Sequence, residues 1–567
     1  MGETRALGFC ALCAIALISI GPGEIEAAVT PLHPAPVTCP QPSGGTAYDV
    51  GPGFAATQLR DIDWQNLKQG DVVRIHVKPG GYHEKLMLRT VGTPTQPLTV
   101  CGIPDASGNL PVLDGANATT RSDFDFPAPY KGSDLQDYAL VYVYNHQYTP
   151  RPANIQIMGL QLQGAKSGAS YTTTSGVVRQ YIEGAACLRV QGVDGLLLQG
   201  NRIVDCDNGL LVISQPPEPT IVRGFVMQGN AVYGHGVVGS YYEHNAYIQA
   251  IDTLYEGNFF GAVRSGAEGS TLKDRAASTT ARYNYFDCSA RCFDMVEPQE
   301  HWPWVNEAAY RQWAADAGLP IDPVELQSVQ AAEHLYTSVP TQIYGNVFVN
   351  YGSYGSSAMI HYGADNLGED ARAAPFYFFN NTLSIIANLT VADGVSGIYF
   401  TGVLDRNGNG VNTSTNAPQA NVTFYVFNNL LQSRAETPSG TPSYIKLTRT
   451  AVQSEMTAVL SNNRLDTGMS DPSAGGRAES ALLVNYAASH FDAGQPVNEL
   501  SGFPSAALYA TAAPPKGVSG AGTIGWQIAP ESGVAGLAPR SAQFVGARDP
   551  WADPIFANGF EVPPAGP

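Results

Sequence analysis

The chain has 567 residues, 14% of them charged and 10% aromatic, with 60 Gly and 40 Pro. It is too apolar for a disordered chain and too rich in turn formers for a helical bundle. Its 31 Lys and Arg against 49 Asp and Glu give a net charge of −18. That excess argues against nucleic acid as a partner and asks any polyanionic partner for a local basic cleft or bridging cations.

At the start, Arg5 precedes an apolar run from Ala6 to Ile20, then Gly21, Pro22 and small residues ending at Ala27 and Ala28. This is the layout of a secretory signal peptide over residues 1–28, and the run is too short for a membrane span. The expectation is bacterial-type export to the periplasm or the exterior. Cys10 and Cys13 follow Phe9 and Leu12, where lipoprotein processing wants a small residue, so no lipid anchor is expected. Residues 29–46 are Pro/Thr-rich and read as a linker. Six cysteines remain: Cys39, Cys101, Cys187, Cys206, Cys288 and Cys292. In an exported chain an even number points to disulfides, with Cys187/Cys206 and Cys288/Cys292 as the expected bridges. A metal reading is weaker, because no CxxC or HxxxH accompanies them.

From Ala47 a short amphipathic segment through Leu59, Ile62 and Leu67 precedes an alternating strand at Val72, Arg74 and His76. A repeat then sets in. An Asn in the context apolar-x-[GYFN]-Asn-x-apolar recurs at Asn201, Asn230, Asn258, Asn284, Asn346, Asn381, Asn429 and Asn463. The first three intervals, 29, 28 and 26 residues, are those of a repeat architecture. Each unit holds two or three short β-rich runs and cannot bury a face alone, so the units must stack, and one Asn per unit can form a ladder. Between Asn284 and Asn346 the repeat is interrupted by two stretches of helical character, Asn306 to Ala317 and Pro323 to Leu335.

These repeats, with VGPG, GDVVRI, GYHEKLML, PLTVCGIPD and LPVLDG upstream, resemble right-handed parallel β-helix proteins of the pectin-lyase-like superfamily over roughly Ala47 to Asp466. The resemblance implies an all-β solenoid with a short N-terminal cap and one helical insertion. Residues 47–500 would form the parallel β-helix, residues 297–340 the excursion, and 501–567 a loop-rich tail. Such folds include polysaccharide lyases, glycoside hydrolases and non-catalytic adhesins, so fold alone does not choose the reaction.

The candidate chemistry lies between His244 and Glu297. In LKDR, strand alternation puts Lys273 and Arg275 on one face. β-Elimination of a uronic-acid polymer needs a neutralised carboxylate, a base and a proton for the leaving oxygen. Lys273 serves as base if Arg275 presses on it by like-charge repulsion. In β-helix lyases of the chondroitinase or alginate-lyase type, Lys and Arg take base and acid roles, and LKDR resembles that usage. His244, which opens the stretch, joins them as a catalytic candidate. Lys273 follows Asn258 by 15 residues; the same offset from Asn230 reaches Asn245, and a shift of one or two residues brings in Tyr247, while the next coils offer Asp294 and His361 to the same outer groove, with Arg275 or Arg264 as a bidentate clamp for the carboxylate. Trp302 and Trp304 in the excursion offer flat faces for sugar rings, or else pack it onto the wall. The competing reading for Lys273 and Arg275 is exterior salt bridges with Asp274, Asp287 or Asp294.

Calcium is the one cofactor the sequence raises. DRNGNG opens like a calcium loop, with Asp405, Asn407 and Asn409 as ligands of a structural ion, but its twelfth position is Asn416, which leaves a plain Asn-Gly turn as the alternative. Gly234-His235-Gly236 resembles one element of polygalacturonase-type hydrolases, without that family's paired aspartates. GAGTIG at Gly520 to Gly525 lacks a βαβ context. The functional expectation is a secreted lyase acting on a uronic-acid polysaccharide; the alternatives are a non-catalytic glycan-binding or adhesion solenoid and a glycoside hydrolase. Nothing in the sequence speaks to oligomeric state.

Overall fold

A computed structural model of the chain describes residues 33–34 and 37–350, apart from 130, 132, 215–219 and 289–290, and beyond 350 chiefly strands as far as Ala478 together with 518–519. The signal-peptide segment and Asp405, Asn407 and Asn409 lie outside the described residues, as does the tail but for 518–519.

Each coil contributes a strand to three parallel sheets in turn. In one coil these are Asp194–Gln199 in sheet 1, Arg202–Val204 in sheet 2 and Asn208–Val212 in sheet 3. The next coil repeats them in register, Leu196 pairing Phe225, Ile203 pairing Val232 and Leu210 pairing Ala246. Among the described residues the sheets reach 12, 12 and 10 strands, and the architecture is a right-handed parallel β-helix. No helix among the described residues is long and apolar enough to cross a membrane.

The interior is filled by side chains stacked coil on coil, such as Phe260, Phe286 and Phe348, whose rings lie 5.0 and 4.6 Å apart. Beside them runs the asparagine ladder. Asn258 accepts from Asn230 at both its backbone N–H (2.9 Å) and its Nδ2 (3.0 Å), and donates to Asn284 Oδ1 (3.0 Å) and Met227 O (3.0 Å). The same pattern joins Asn284 to Asn346 at 2.9 Å, so the chain resumes in register after the excursion. Among the described residues, the one before a ladder asparagine has a positive φ: 62° at Gly200, 61° at Gly229, 63° at Gly257 and 67° at Gly345. A left-handed turn there explains the recurring Gly-Asn dipeptide. Tyr283, with φ 58°, takes that turn without glycine.

At the N-terminal end the strand Ala47–Val50 pairs Val72–His76, and Leu59, Ile62 and Trp64 are buried beneath a short 3-10 turn. Part of the expected linker belongs to this body. Cys39 is disulfide-bonded to Cys101, and Ser43 donates its N–H to Gly70 O. Cys187–Cys206 and Cys288–Cys292 form the other two bridges, as their spacing suggests. The excursion folds into α1 (Glu307–Asp316) and α2 (Pro323–Thr337), capped by Asn306 and Asp322. Trp304, Val305, Tyr310, Val329, Ala332 and Tyr336 pack it onto Ile221, Ile251 and Ala277 of the β-helix wall.

A candidate active site on the outer face of sheet 3

Four successive strands of sheet 3 bring the candidate residues into one row. The register pairs Tyr247 with Lys273, Lys273 with Asp294, and Asp294 with His361. Neighbouring strands lie about 4.8 Å apart, so the row runs along the helix axis at that spacing. Leu272 and Phe293 of the same strands point inward and are fully buried, which fixes the alternate residues on the outer face.

Asp294 is the hub. Its Oδ2 accepts from Lys273 Nζ at 2.6 Å, and from Arg291 and Ser270 Oγ at 3.4 Å each; its Oδ1 accepts from His361 Nδ1 at 2.7 Å. The side chains of Lys273 and Asp294 are only 5% and 1% exposed. Burial alone would push the Asp294 carboxyl up, but the Lys273 ammonium, His361 and Arg291 hold it well below the usual carboxylate range. Since an ionised carboxylate only accepts, His361 carries a proton on Nδ1. In its neutral form the ring then presents Nε2 as acceptor, the arrangement of a general base oriented by a carboxylate.

The expected base and its activator are placed differently. Arg275 lies just beyond the end of the strand that holds Lys273. It turns to Glu297, donating to the carboxylate at 3.2 Å and to the backbone carbonyl at 2.9 Å. Asp274 faces inward and is paired with Arg372 at 2.8 Å, while also accepting from Thr279 Oγ1 at 2.9 Å. Lys273 and Arg275 thus make ion pairs, as the competing reading held, but these are buried within the structure and not on its exterior. Removing one partner of such a pair is costly, because the other is left charged and unpaired. Lys273 is thus held in a buried ion pair with Asp294.

His244 is also corrected. Burial first, and then Lys273, push its imidazole down to about 3. Nδ1 accepts from the Ser270 N–H at 2.8 Å, so the neutral ring keeps its proton on Nε2. Its ring lies 5.7 Å from that of Tyr247, nearly parallel to it. His244 positions Tyr247 and the Ser270 backbone and has no basic nitrogen to offer. The Tyr247 hydroxyl accepts from Gln249 Nε2 at 3.2 Å.

Arg264 is not a substrate clamp either: its guanidinium meets Asp205 at 3.2 Å, Asp207 at 3.6 Å and the Cys206 carbonyl at 3.2 Å. Trp304 is 3% exposed and stacked in the excursion's core, 4.9 Å from Trp313, and Trp302 is half-buried against Tyr336. Their packing serves attachment of α1 and α2. His235 of the Gly-His-Gly element is buried, pushed down to about 4 by desolvation, and bonded at both nitrogens to backbone groups of Ile203 and Cys206. Together with Cys187 and Cys206 it forms a cluster of metal-ligand type. The thiols there are oxidised to a disulfide and the ring nitrogens are engaged, so the donor set does not fit an ion.

Sequence reasoning missed Arg291, Glu297 and Arg372. Arg372 reaches Asp274 from 98 residues further along the chain, a distance that no periodic pattern reveals.

No protein-family model matches the chain, and no curated protein matches it. Among solved structures, an alginate lyase from a Paenibacillus species is 12% identical with a TM-score of 0.29, the match covering 73% of this chain and 99% of that one. A pectin methylesterase from Aspergillus niger is 12% identical with a TM-score of 0.25, covering 79% and 93%. A DFA-IIIase from Arthrobacter chlorophenolicus is 12% identical with a TM-score of 0.29, covering 73% and 89%. At these values no residue role and no activity carry across.

Proposed function

We propose that the chain is an exported, polysaccharide-active β-helix protein that cleaves a uronic-acid polymer by β-elimination on the outer face of sheet 3. The observation that carries this reading is the in-register row Tyr247–Lys273–Asp294–His361, with Lys273 and Arg291 gathered on a protein of net charge −18. A polymer lying along the helix axis presents its sugars to successive coils. Three disulfides among the described residues agree with an oxidising compartment.

In this reading Lys273 neutralises the substrate carboxylate, so that charge developing on it during proton loss is stabilised. His361, oriented by Asp294, takes the proton from the carbon that bears the carboxylate. The electron pair released forms the new carbon–carbon double bond as the glycosidic bond at the adjacent carbon breaks. The departing oxygen takes up a proton from solvent, which balances the proton lost to His361.

The test is incubation with a panel of uronate polymers, with calcium and with a chelator, while following the ultraviolet absorbance of unsaturated uronates. A rise in absorbance is expected, and its calcium dependence reports whether an ion takes part. New reducing ends without that absorbance would make the protein a hydrolase, and binding without cleavage would make it a glycan-binding solenoid.

A further inference from the structure

The turn from sheet 2 to sheet 3 differs sharply between coils. It takes three residues (205–207) before Asn208–Val212, but twelve (234–245) before Ala246–Ile248 and nine (261–269) before Ser270–Asp274. The two long turns are zipped together. Gly239 N donates to Gly266 O at 2.8 Å, Glu268 N to Ser240 O at 2.9 Å and Arg264 N to His235 O at 2.6 Å, and Val238 bridges Ala267 antiparallel. Arg264 then staples this ridge to Asp205 of the coil below. The result is a built feature rising beside the two paired strands that carry Tyr247 and Lys273.

On this ridge sit two consecutive large aromatics held out to solvent, Tyr241 and Tyr242, 56% and 68% exposed. Their rings lie 4.2 Å apart at 36° and their hydroxyls 2.7 Å apart. Exposing this much aromatic surface on a supported loop is unfavourable unless something covers it. Its neighbourhood indicates what. Two residues on, His244 binds the Ser270 N–H and stacks on Tyr247. Ser270 is paired in register with Arg291, whose side chain is 44% exposed while also reaching Asp294. The ridge is therefore continuous with the Lys273–Asp294–His361 row, and a cation stands at its foot.

We infer that Tyr241 and Tyr242, with Arg291, form a sugar subsite flanking the row, which takes the next uronate residue of the same polymer. This rests on the proposed function. The phenol faces receive the apolar face of a pyranose ring, the paired hydroxyls receive its hydroxyl groups, and Arg291 receives its carboxylate. The occupant is an acidic sugar, because the aromatic pair and the cation are adjacent and the row continues past them along the helix axis.

The experiment measures dissociation constants directly, by calorimetry or affinity electrophoresis, for the uronate polymer that the wild type binds best and for its oligosaccharides of increasing length. Full-length wild type, Tyr241→Ala/Tyr242→Ala, Tyr241→Phe/Tyr242→Phe, Arg291→Gln and the control Leu319→Ser are compared, with circular dichroism melts to show folding. The Ala double variant is expected to bind about ten- to a hundred-fold more weakly and to lose the gain in affinity with length. The Phe variant should recover most of that loss, and the control, in the excursion, should match wild type. Wild-type affinity and length dependence in a folded Ala double variant would overturn the subsite. A wild type that binds but does not cleave would overturn elimination and leave the subsite to be decided by the same constants. A wild type that binds no uronate polymer would overturn both.

Discussion

Replacing Asp294 by Asn tests the hub of the site most directly. The carboxylate is 1% exposed and receives four donors, with Lys273 at 2.6 Å and His361 at 2.7 Å the shortest. The amide keeps an acceptor oxygen but no charge, which leaves the Lys273 ammonium buried without its counter-ion. Breaking a buried pair from one side costs about 3–5 kcal/mol, and the surviving hydrogen bond places the expected loss near the lower end, about 3 kcal/mol. Lys273→Met should cost a similar amount, since Asp294 is then left to His361, Arg291 and Ser270. The double variant should not cost the sum. A coupling of about 2 kcal/mol or more between the two positions is expected from denaturant unfolding of the four proteins. The pH dependence supplies a second readout. Asp294 is held below its ordinary range, so its contribution is present above about pH 4 and is lost as the pH falls through its folded value. Asp294→Asn should remove that part of the acid destabilisation. Additivity of the two single variants within about 0.5 kcal/mol would refute the pairing on which the site is built.

Two further outcomes follow from other parts of the molecule. Asn258→Ala removes the partner of the buried Asn230 N–H and takes one bond each from Asn230 Nδ2, which keeps Leu198 O, and from Met227 O, so a loss of about 1–3 kcal/mol is expected; an unchanged unfolding midpoint would show that the ladder is decorative. His301 in the excursion is fully buried, with both ring nitrogens unpartnered, and burial followed by Arg275 and Arg372 pushes it down to about 3. The unfolded chain binds a proton there below the ordinary histidine value while the folded chain does not, so stability must fall as the pH is lowered from about 6.5, by about 2 kcal/mol at pH 5. His301→Leu should flatten that slope by one proton relative to wild type, which equilibrium unfolding at pH 7 and pH 5 would detect.

The coil was legible in the sequence because, from Asn201 onward, one residue recurs in successive turns with the same task. An asparagine that must bond the coils above and below it, preceded by a residue with positive φ, leaves a Gly-Asn mark that can be counted. That count carried the alignment across the excursion, and the parallel register puts Tyr247, Lys273, Asp294 and His361 on adjacent strands, although they follow their coils' asparagines by unequal offsets of 17, 15, 10 and 15 residues. The partners of these residues were another matter. Lys273 and Arg275 share LKDR, and their proximity in the chain suggested that they act on each other. Each is instead committed to the carboxylate of the following coil, Asp294 or Glu297. In a solenoid the electrostatic neighbour is one coil away, so a motif read along the chain underestimates every pairing made across it.

What covers a face is set by the irregular segments, and there the repeat is silent. Trp304 looked available because it lies in an insertion, yet an insertion of two short helices has too little interior to bury its own aromatics and must use the wall. Trp304 is consumed in that attachment. Tyr241 and Tyr242 invert the case. They lie between two strands of the regular repeat, where a short turn is expected, and only the pairing of two consecutive long turns lifts them into solvent. The signal was present as a difference in turn length between successive coils, three residues against twelve and nine. Strand periodicity therefore locates the row of outward-facing charged and aromatic groups, and departures from turn length locate the aromatics raised beside it.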